Sequence, residues 1–339
     1  MVSKIISGIS IKAITAALPS EVIGADVFSA LYGEKEVARI VRGTGINSIR
    51  SAKGMTTSDL IAAAAEHLIR NMDIDRNEID GLVVVTQTPD DWSPGSAFAV
   101  HHKLKLPTNC FVTDIDSGCA GYVNGLIQAA SLVASGSCKN VLLCTGDINT
   151  RLVDDNNYKV RMLFGDAASA TLITSGEGTL HFIYGADGSG RHLIGVNLNY
   201  EKENDHIGKI HCLKMDGAAV MSFALRRVPE VINSLLQEKE IEKNDIDLFA
   251  LHQPNEFILN YIRNILDVAP NKLPCDVSDV GNTNSSSIPL LLSRFNWQAD
   301  ITRKNVVMCG FGVGLAWNAL LLDLSKTKII KPLDGIPIN

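Results

Sequence analysis

The sequence predicts an α/β fold built from two related halves. Three observations carry this: helix-like and strand-like runs alternate, two stretches recur at nearly constant offset, and no low-complexity linker interrupts the 339 residues. "LIRNMDIDRNEID" at 68–80 aligns without a gap with "LLQEKEIEKNDID" at 235–247, and "KNVLLCTGD" at 139–147 is echoed by "KNVVMCGFG" at 304–312. The offsets are 167 residues (68 to 235) and 165 residues (139 to 304), which points to an internal duplication.

Within the first half, apolar positions at helical spacing predict a helix over 59–72, capped by Ser58 or Asp59. A buried strand follows at 82–86, then a helix at 95–104, a strand at 110–115, a helix after Cys119 and a strand at 141–145. The second half repeats the scheme with helices near 219–238, 255–266 and 285–296. The stretch 176–215 is richer in Gly, Asn and Asp and is expected to hold a crossover and surface strands. The halves divide as 1–175 and 176–339 and are expected to share one core.

Composition narrows the class of function. The chain is 46% apolar and 20% charged, as in globular enzymes. A formal charge of −6 weighs against nucleic acid as a partner. No apolar run reaches the ~20 residues of a membrane helix. The opening "MVSKIISGISIKAITAALP" lacks the pattern of a cleaved signal, so a cytoplasmic location is expected. Seven cysteines form no CxxC pair and are odd in number, which argues against zinc ribbons and disulfide frameworks.

One of those cysteines stands apart. "DIDSGCAGYVNGL" (114–126) sets Cys119 among small residues at the start of an apolar helix. A free cysteine commonly packs as a small hydrophobe; at a helix N-terminus it also has a lowered pKa and can serve as a nucleophile. Pseudo-twofold halves would bring the strand ends "LHQPN" (251–255) and "GNTNSSSIPLLL" (281–292) opposite Cys119, gathering it with His252 and Asn282. Cys, His and an amide donor suit acyl transfer from a thioester, with the imidazole and amide stabilising oxyanions. The run "GFGVG" (310–314) offers unhindered backbone N–H groups as a second wall, and its lack of a following Lys-Ser/Thr rejects a phosphate loop. Cys144, Cys309 and Trp317 read as core, and adjacent His101 and His102 as surface or interface residues rather than metal ligands.

"DSGCAGYVNGL", "MLFGDAASATLI" (162–173), "HQPN", "GNTNSSSIP" and "GFGVGLAWNAL" occur in the order found in one family. Over nearly its whole length the sequence resembles the β-ketoacyl-acyl-carrier-protein synthase III enzymes of the thiolase superfamily. The resemblance implies a thiolase-like five-layered αβαβα fold, a homodimer and ping-pong catalysis with no metal or redox cofactor. Cys119 would accept an acyl group from a CoA or acyl-carrier-protein (phosphopantetheine) thioester. His252 and Asn282 would then promote decarboxylation of a malonyl-type extender or bind a β-ketoacyl partner. The backbone N–H groups of Cys119 and Val313 would hold the oxyanion, with Phe311 and Gly312 beside the substrate tunnel.

Departures from the family pattern point to a specialised fatty acid, polyketide or secondary-metabolite pathway. In "RIVRGTGI" (39–46), Arg39 stands where the family has an adenine-stacking aromatic and Gly43 where it has an arginine. In "HQPNEFI", Phe257 replaces an arginine used in carrier docking, leaving Arg226, Arg227 and Arg263 as candidates for a relocated patch. In the dimer loop "TPDDWSPGSAF" (88–98), Ser93 precedes the matching proline and Trp92 lies one residue earlier. Two other readings keep parts of this assignment: acyl transfer from Cys119 to an alcohol or amine, and a non-catalytic subunit of a heterodimer.

Overall fold

The computed structural model describes residues 2–196, 198–201, 206–210, 212–298 and 301–337. Its architecture follows from where successive side chains of each buried strand point. In the strand Gly81–Val85 all five residues are buried. Leu82 and Val84 face the helices Thr57–Met72 and Ser96–Leu104, while Val83 and Val85 face the helix Gly121–Ala134. The second half divides the same way. Phe249, Leu251, Val307 and Cys309 pack on the helices Gly217–Lys239 and Glu256–Leu266. Leu248, Ala250, Val306 and Met308 join Gly121–Ala134 and Ser287–Arg294 in the central cluster. The order is helix, sheet, helix, sheet, helix. Strands covered on both faces read as continuous apolar runs, as these do.

The two sequence echoes occupy matching places. Asn140–Asp147 lies parallel to Gly81–Val85, which in turn lies parallel to Phe111–Ile115. Val306–Gly312 lies parallel to Leu248–Leu251 and antiparallel to Ala316–Leu322. Both sheets then meet on one long strand, Ala167–Ala186. Its first part pairs with Asn140–Asp147 and its last part with Ala316–Leu321. Lys4–Pro19 runs antiparallel along it, with register shifts between Ser7 and Ala13. The 175/176 division lies inside this strand, so the halves share a strand instead of being joined by a linker.

Element boundaries moved for identifiable reasons. The helix expected from 59 begins at Thr57, and its cap is Thr56, not Ser58 or Asp59. The Thr56 hydroxyl accepts from Asp59 N–H (3.1 Å), and the Asp59 carboxylate accepts from Thr56 N–H (2.9 Å), a reciprocal capping box. The helix expected over 285–296 is shortened to Ser287–Arg294, because Asn284–Ser286 form a 3-10 turn whose serines bond across to the first half. In 176–215 the long strand continues to Ala186 and is followed by the short pairs Ile194–Gly195 with Lys214–Met215 and Leu198–Glu201 with His206–Ile210.

Two helical glycines give opposite expectations. At exposed Gly43 an added Cβ meets nothing within 4 Å, so Gly43→Ala should stabilise by about 0.5–1 kcal/mol through helix propensity and a less free unfolded chain. At buried Gly125 the Cβ would stand 2.7 Å from Leu143 Cδ1 and 2.8 Å from Val85 Cγ2. Gly125→Ala should therefore cost about 1–3 kcal/mol by overpacking the central layer. Urea unfolding of both variants checks the pair of signs.

Candidate active site

Cys119 sits between the strand Phe111–Ile115 and the helix Gly121–Ala134, next to the helix N-cap Ala120, and is buried. The second half closes over it. A Cβ at Gly312, whose φ is +154°, would stand 2.6 Å from the Cys119 Cβ and 2.8 Å from its Sγ, so only glycine fits. Asn318, buried in the strand Ala316–Leu322, stitches this seam. Its Oδ1 accepts from Gly310 N–H (2.9 Å), and its Nδ2 donates to the Ala120 carbonyl (3.0 Å) and to Asn124 Oδ1 (2.9 Å).

Burial pushes the Cys119 thiol up to about 12; hydrogen bonds from the Val313 and Cys119 backbone N–H groups act against this rise, and the charge of Asp147 adds to it. Helix placement alone favours a thiolate, and here desolvation outweighs it.

His252 follows the strand Leu248–Leu251 and extends its ladder by donating its N–H to the Cys309 carbonyl (2.8 Å). Its ring lies edge-to-face with Phe311, centroids 5.4 Å apart. Burial pushes the imidazole down to about 3, a backbone hydrogen bond with Asn284 opposing, so it is neutral near pH 7. Nδ1 is 2.7 Å from Ser287 Oγ, and that oxygen also lies 3.4 Å from Gln253 N. With Gln253 N–H donating to Ser287 Oγ, the serine proton is free to point to Nδ1, in the tautomer that carries the ring hydrogen on Nε2.

Asn282 is held at both backbone groups: its N–H donates to the Leu163 carbonyl (2.8 Å) and its carbonyl accepts from Gly165 N–H (3.1 Å). Its side-chain Oδ1 accepts from Asn284 N–H (2.9 Å), leaving Nδ2 as the group to offer a ligand. Cys119, His252, Asn282 and Gly312 line one cavity of about 90 Å³ whose walls include Phe164, Ile194, Met215, Val220, Ile258 and Phe311. A larger open cleft between the helices Ala25–Tyr32 and Glu34–Thr44 carries Asp26, Ser29 and Glu34 but no cysteine or histidine.

Other residues singled out in the sequence lie elsewhere. Trp92 is 71% exposed and Ser93 is exposed; neither lines the cavity. Arg227 pairs with Glu230 (2.8 Å) and lies over the Trp317 ring (4.9 Å), and Arg263 donates to Asn260 Oδ1 (2.6 Å). Arg226 is exposed. Arg39 pairs with Glu36 (3.1 Å) on the surface, and exposed Phe257 packs against Tyr261 with centroids 4.8 Å apart and the rings tilted at 49°. Trp317, Cys144 and Cys309 are buried core, and His101 is tied to the Pro107 carbonyl (3.1 Å). Sequence reasoning missed Asn318, Ser287 and Asp147. Their signal was polarity inside apolar stretches, as in "WNALLL", "SSSIPLLL" and "VLLCTGD".

Comparison with known proteins places the chain in a family. The family model for 3-oxoacyl-[acyl-carrier-protein (ACP)] synthase III matches residues 113–188, which include Cys119. The model for its C-terminal part matches 236–324, which include His252 and Asn282. A β-ketoacyl-[acyl-carrier-protein] synthase III of Streptococcus agalactiae serotype III is 32% identical over 292 residues, 83% of this chain and 88% of the relative. The crystal structure of a 3-oxoacyl-(acyl-carrier protein) synthase from Burkholderia xenovorans LB400 superposes with a TM-score of 0.91 at 29% identity, covering 98% of this chain and 99% of that one. The priming β-ketosynthase of the R1128 polyketide biosynthetic pathway superposes with a TM-score of 0.84 at 26% identity, covering 94% of this chain and 96% of that one. With fold, motif order and overall identity in agreement, the chain belongs to the β-ketoacyl-acyl-carrier-protein synthase III family.

Proposed function

We propose that this protein is a ketosynthase that loads an acyl group onto Cys119 and condenses it with a malonyl-type thioester. The observation that carries this is that Cys119 from one half of the chain and His252 and Asn282 from the other line a single cavity. In the first step the sulfur attacks the carbonyl of an acyl-CoA or acyl-carrier thioester. The N–H groups of Cys119 and Val313 hold the oxyanion, the donor leaves as a thiolate, and that thiolate takes up the proton lost from Cys119. In the second step His252 Nε2–H and Asn282 Nδ2–H bind the thioester oxygen of the extender. Carbon dioxide leaves, and the enolate attacks the acyl-Cys119 carbonyl. The Cys119 thiolate is expelled and reprotonated.

A neutral imidazole with its hydrogen on Nε2 suits this donor role better than that of a base. The mainly apolar lining of the cavity suits the acyl chain of the thioester and limits the access of water to the acyl-enzyme. The protein works as a homodimer, in which exposed Trp92 and Ser93 face the partner subunit. Arg39, Gly43 and Phe257 favour a specialised pathway over initiation of ordinary fatty acid synthesis, and the likeness to a polyketide priming synthase supports this. Arg226 is the docking residue for an acidic carrier, since Arg227 and Arg263 are engaged within the protein.

Intact-mass measurement after incubation with a panel of acyl-CoAs and acyl-carrier proteins should show one adduct, absent in Cys119→Ala. A malonyl chase should then discharge it with release of CO2. Discharge to an alcohol or amine without CO2 would replace condensation by simple transfer, and no adduct from any donor would contradict the assignment. His252→Ala should keep loading and lose about 10²–10³-fold in CO2 release, the effect of removing one oxyanion donor. Arg226→Glu should raise KM for carrier-borne thioesters and leave CoA-borne ones unchanged; equal KM values for both variants on the carrier would remove the docking role.

A further inference from the structure

Three consecutive serines tie the loop that bears Asn282 to three separate places, and all three are buried. Ser287 holds His252 Nδ1. Ser286 Oγ meets Thr145 Oγ1 (2.8 Å) and donates to the Ala167 carbonyl (3.2 Å). Ser285 donates its hydroxyl to Oδ2 of Asp147, and its N–H approaches the same oxygen at 3.4 Å.

Asp147 ends the first-half strand Asn140–Asp147 and is fully buried. Its other oxygen, Oδ1, accepts from Gln87 N–H (2.8 Å) and from the Thr86 hydroxyl (3.3 Å). Four donors therefore surround one carboxylate, two from each half of the chain, and no cation is among the influences on it. A buried carboxylate without a cation is expensive, and burial pushes Asp147 up to about 7 although its hydrogen bonds from Ser285, Gln87 and Thr86 act the other way. An apolar side chain would fill the space without burying a charge. Only an acceptor at both oxygens satisfies both halves at once: an amide would place a donor against donors.

We propose that Asp147 is a positioning residue: its carboxylate, bridging Thr86 and Gln87 to Ser285, sets the loop that carries Asn282 and Ser287, and through them His252, against Cys119. The inference rests on the ketosynthase reading of the same site. Ser285 lies three residues after Asn282 and two before Ser287, and the Asn282 side chain is bonded to the intervening Asn284 N–H, so the turn moves as a unit. Displacement of such a unit by about 1 Å is enough to cost up to 10²-fold in rate. Acyl loading relies on Cys119 and the Val313 N–H, which this turn does not carry. The negative charge of Asp147 also opposes a Cys119 thiolate, so its removal gives no reason for loading to slow.

The test uses the full-length chain with Asp147→Asn and Ser285→Ala, singly and combined, each shown to melt cooperatively. Two rates are read: acylation of Cys119 by an acyl thioester, and CO2 release from a malonyl thioester. CO2 release should fall about tenfold or more in each single variant while acylation does not fall. The double variant should be no worse than the worse single one, because the two residues act through one bond. Ser285→Ala leaves the Asp147 charge in place and so separates the hold on the loop from that charge. A parallel fall of both rates, no fall in either, or multiplied effects in the double variant would each overturn the proposal. Failure of the wild-type protein itself to acylate Cys119 would instead remove the ketosynthase reading on which it stands.

Discussion

The close approach of Gly312 to Cys119 is the constraint on which the centre of this protein depends. At Gly310 and Gly312 of one half, no side chain fits against the cysteine corner of the other. That contact buries the thiol, and burial decides the electrostatics: the sulfur and the imidazole are both driven toward their neutral forms. In a buried site, backbone N–H groups and a ring N–H would act on developing charge more strongly than they do in water. On the proposed mechanism, reactivity comes from preorganised donors that meet charge as it forms, without a resting ion pair.

The fold serves this seam. The long strand Ala167–Ala186 belongs to both sheets, so the halves cannot shift independently at their junction. Asn318 and the Asp147–Ser285 bridge cross the same junction on either side of the site. The polar groups at this boundary are each matched by a partner from the other half, which makes their geometry specific and their substitution costly.

Much of this was legible in the amino-acid order. The repeat of "KNVLLCTGD" and "KNVVMCGFG" located two equivalent strands, because apolar strand runs and their turns are local signals. Cys119, His252 and Asn282 followed from pairing those strand ends. Asp147 and Ser285 did not, since they lie 138 residues apart and no local pattern pairs a carboxylate with a distant serine. Arg227 and Arg263 show the converse: sequence reveals a charge but not the Glu230 and Asn260 that already hold it. Thr56 was overlooked as a cap because the apolar period was read before the Thr-x-x-Asp spacing. The charge state of Cys119 was beyond the sequence altogether, since it depends on how completely the second half covers the thiol.

The most direct measurement is the rate at which iodoacetamide alkylates Cys119 as a function of pH, read by peptide mass so that the other cysteines are scored separately. Since the thiolate is the reacting species, a thiol held neutral by the seam should react ever faster as pH rises, with no plateau below about pH 9, above the ordinary cysteine range near 8.5. A plateau already reached near neutral pH would reveal a resting thiolate and contradict a site governed by burial.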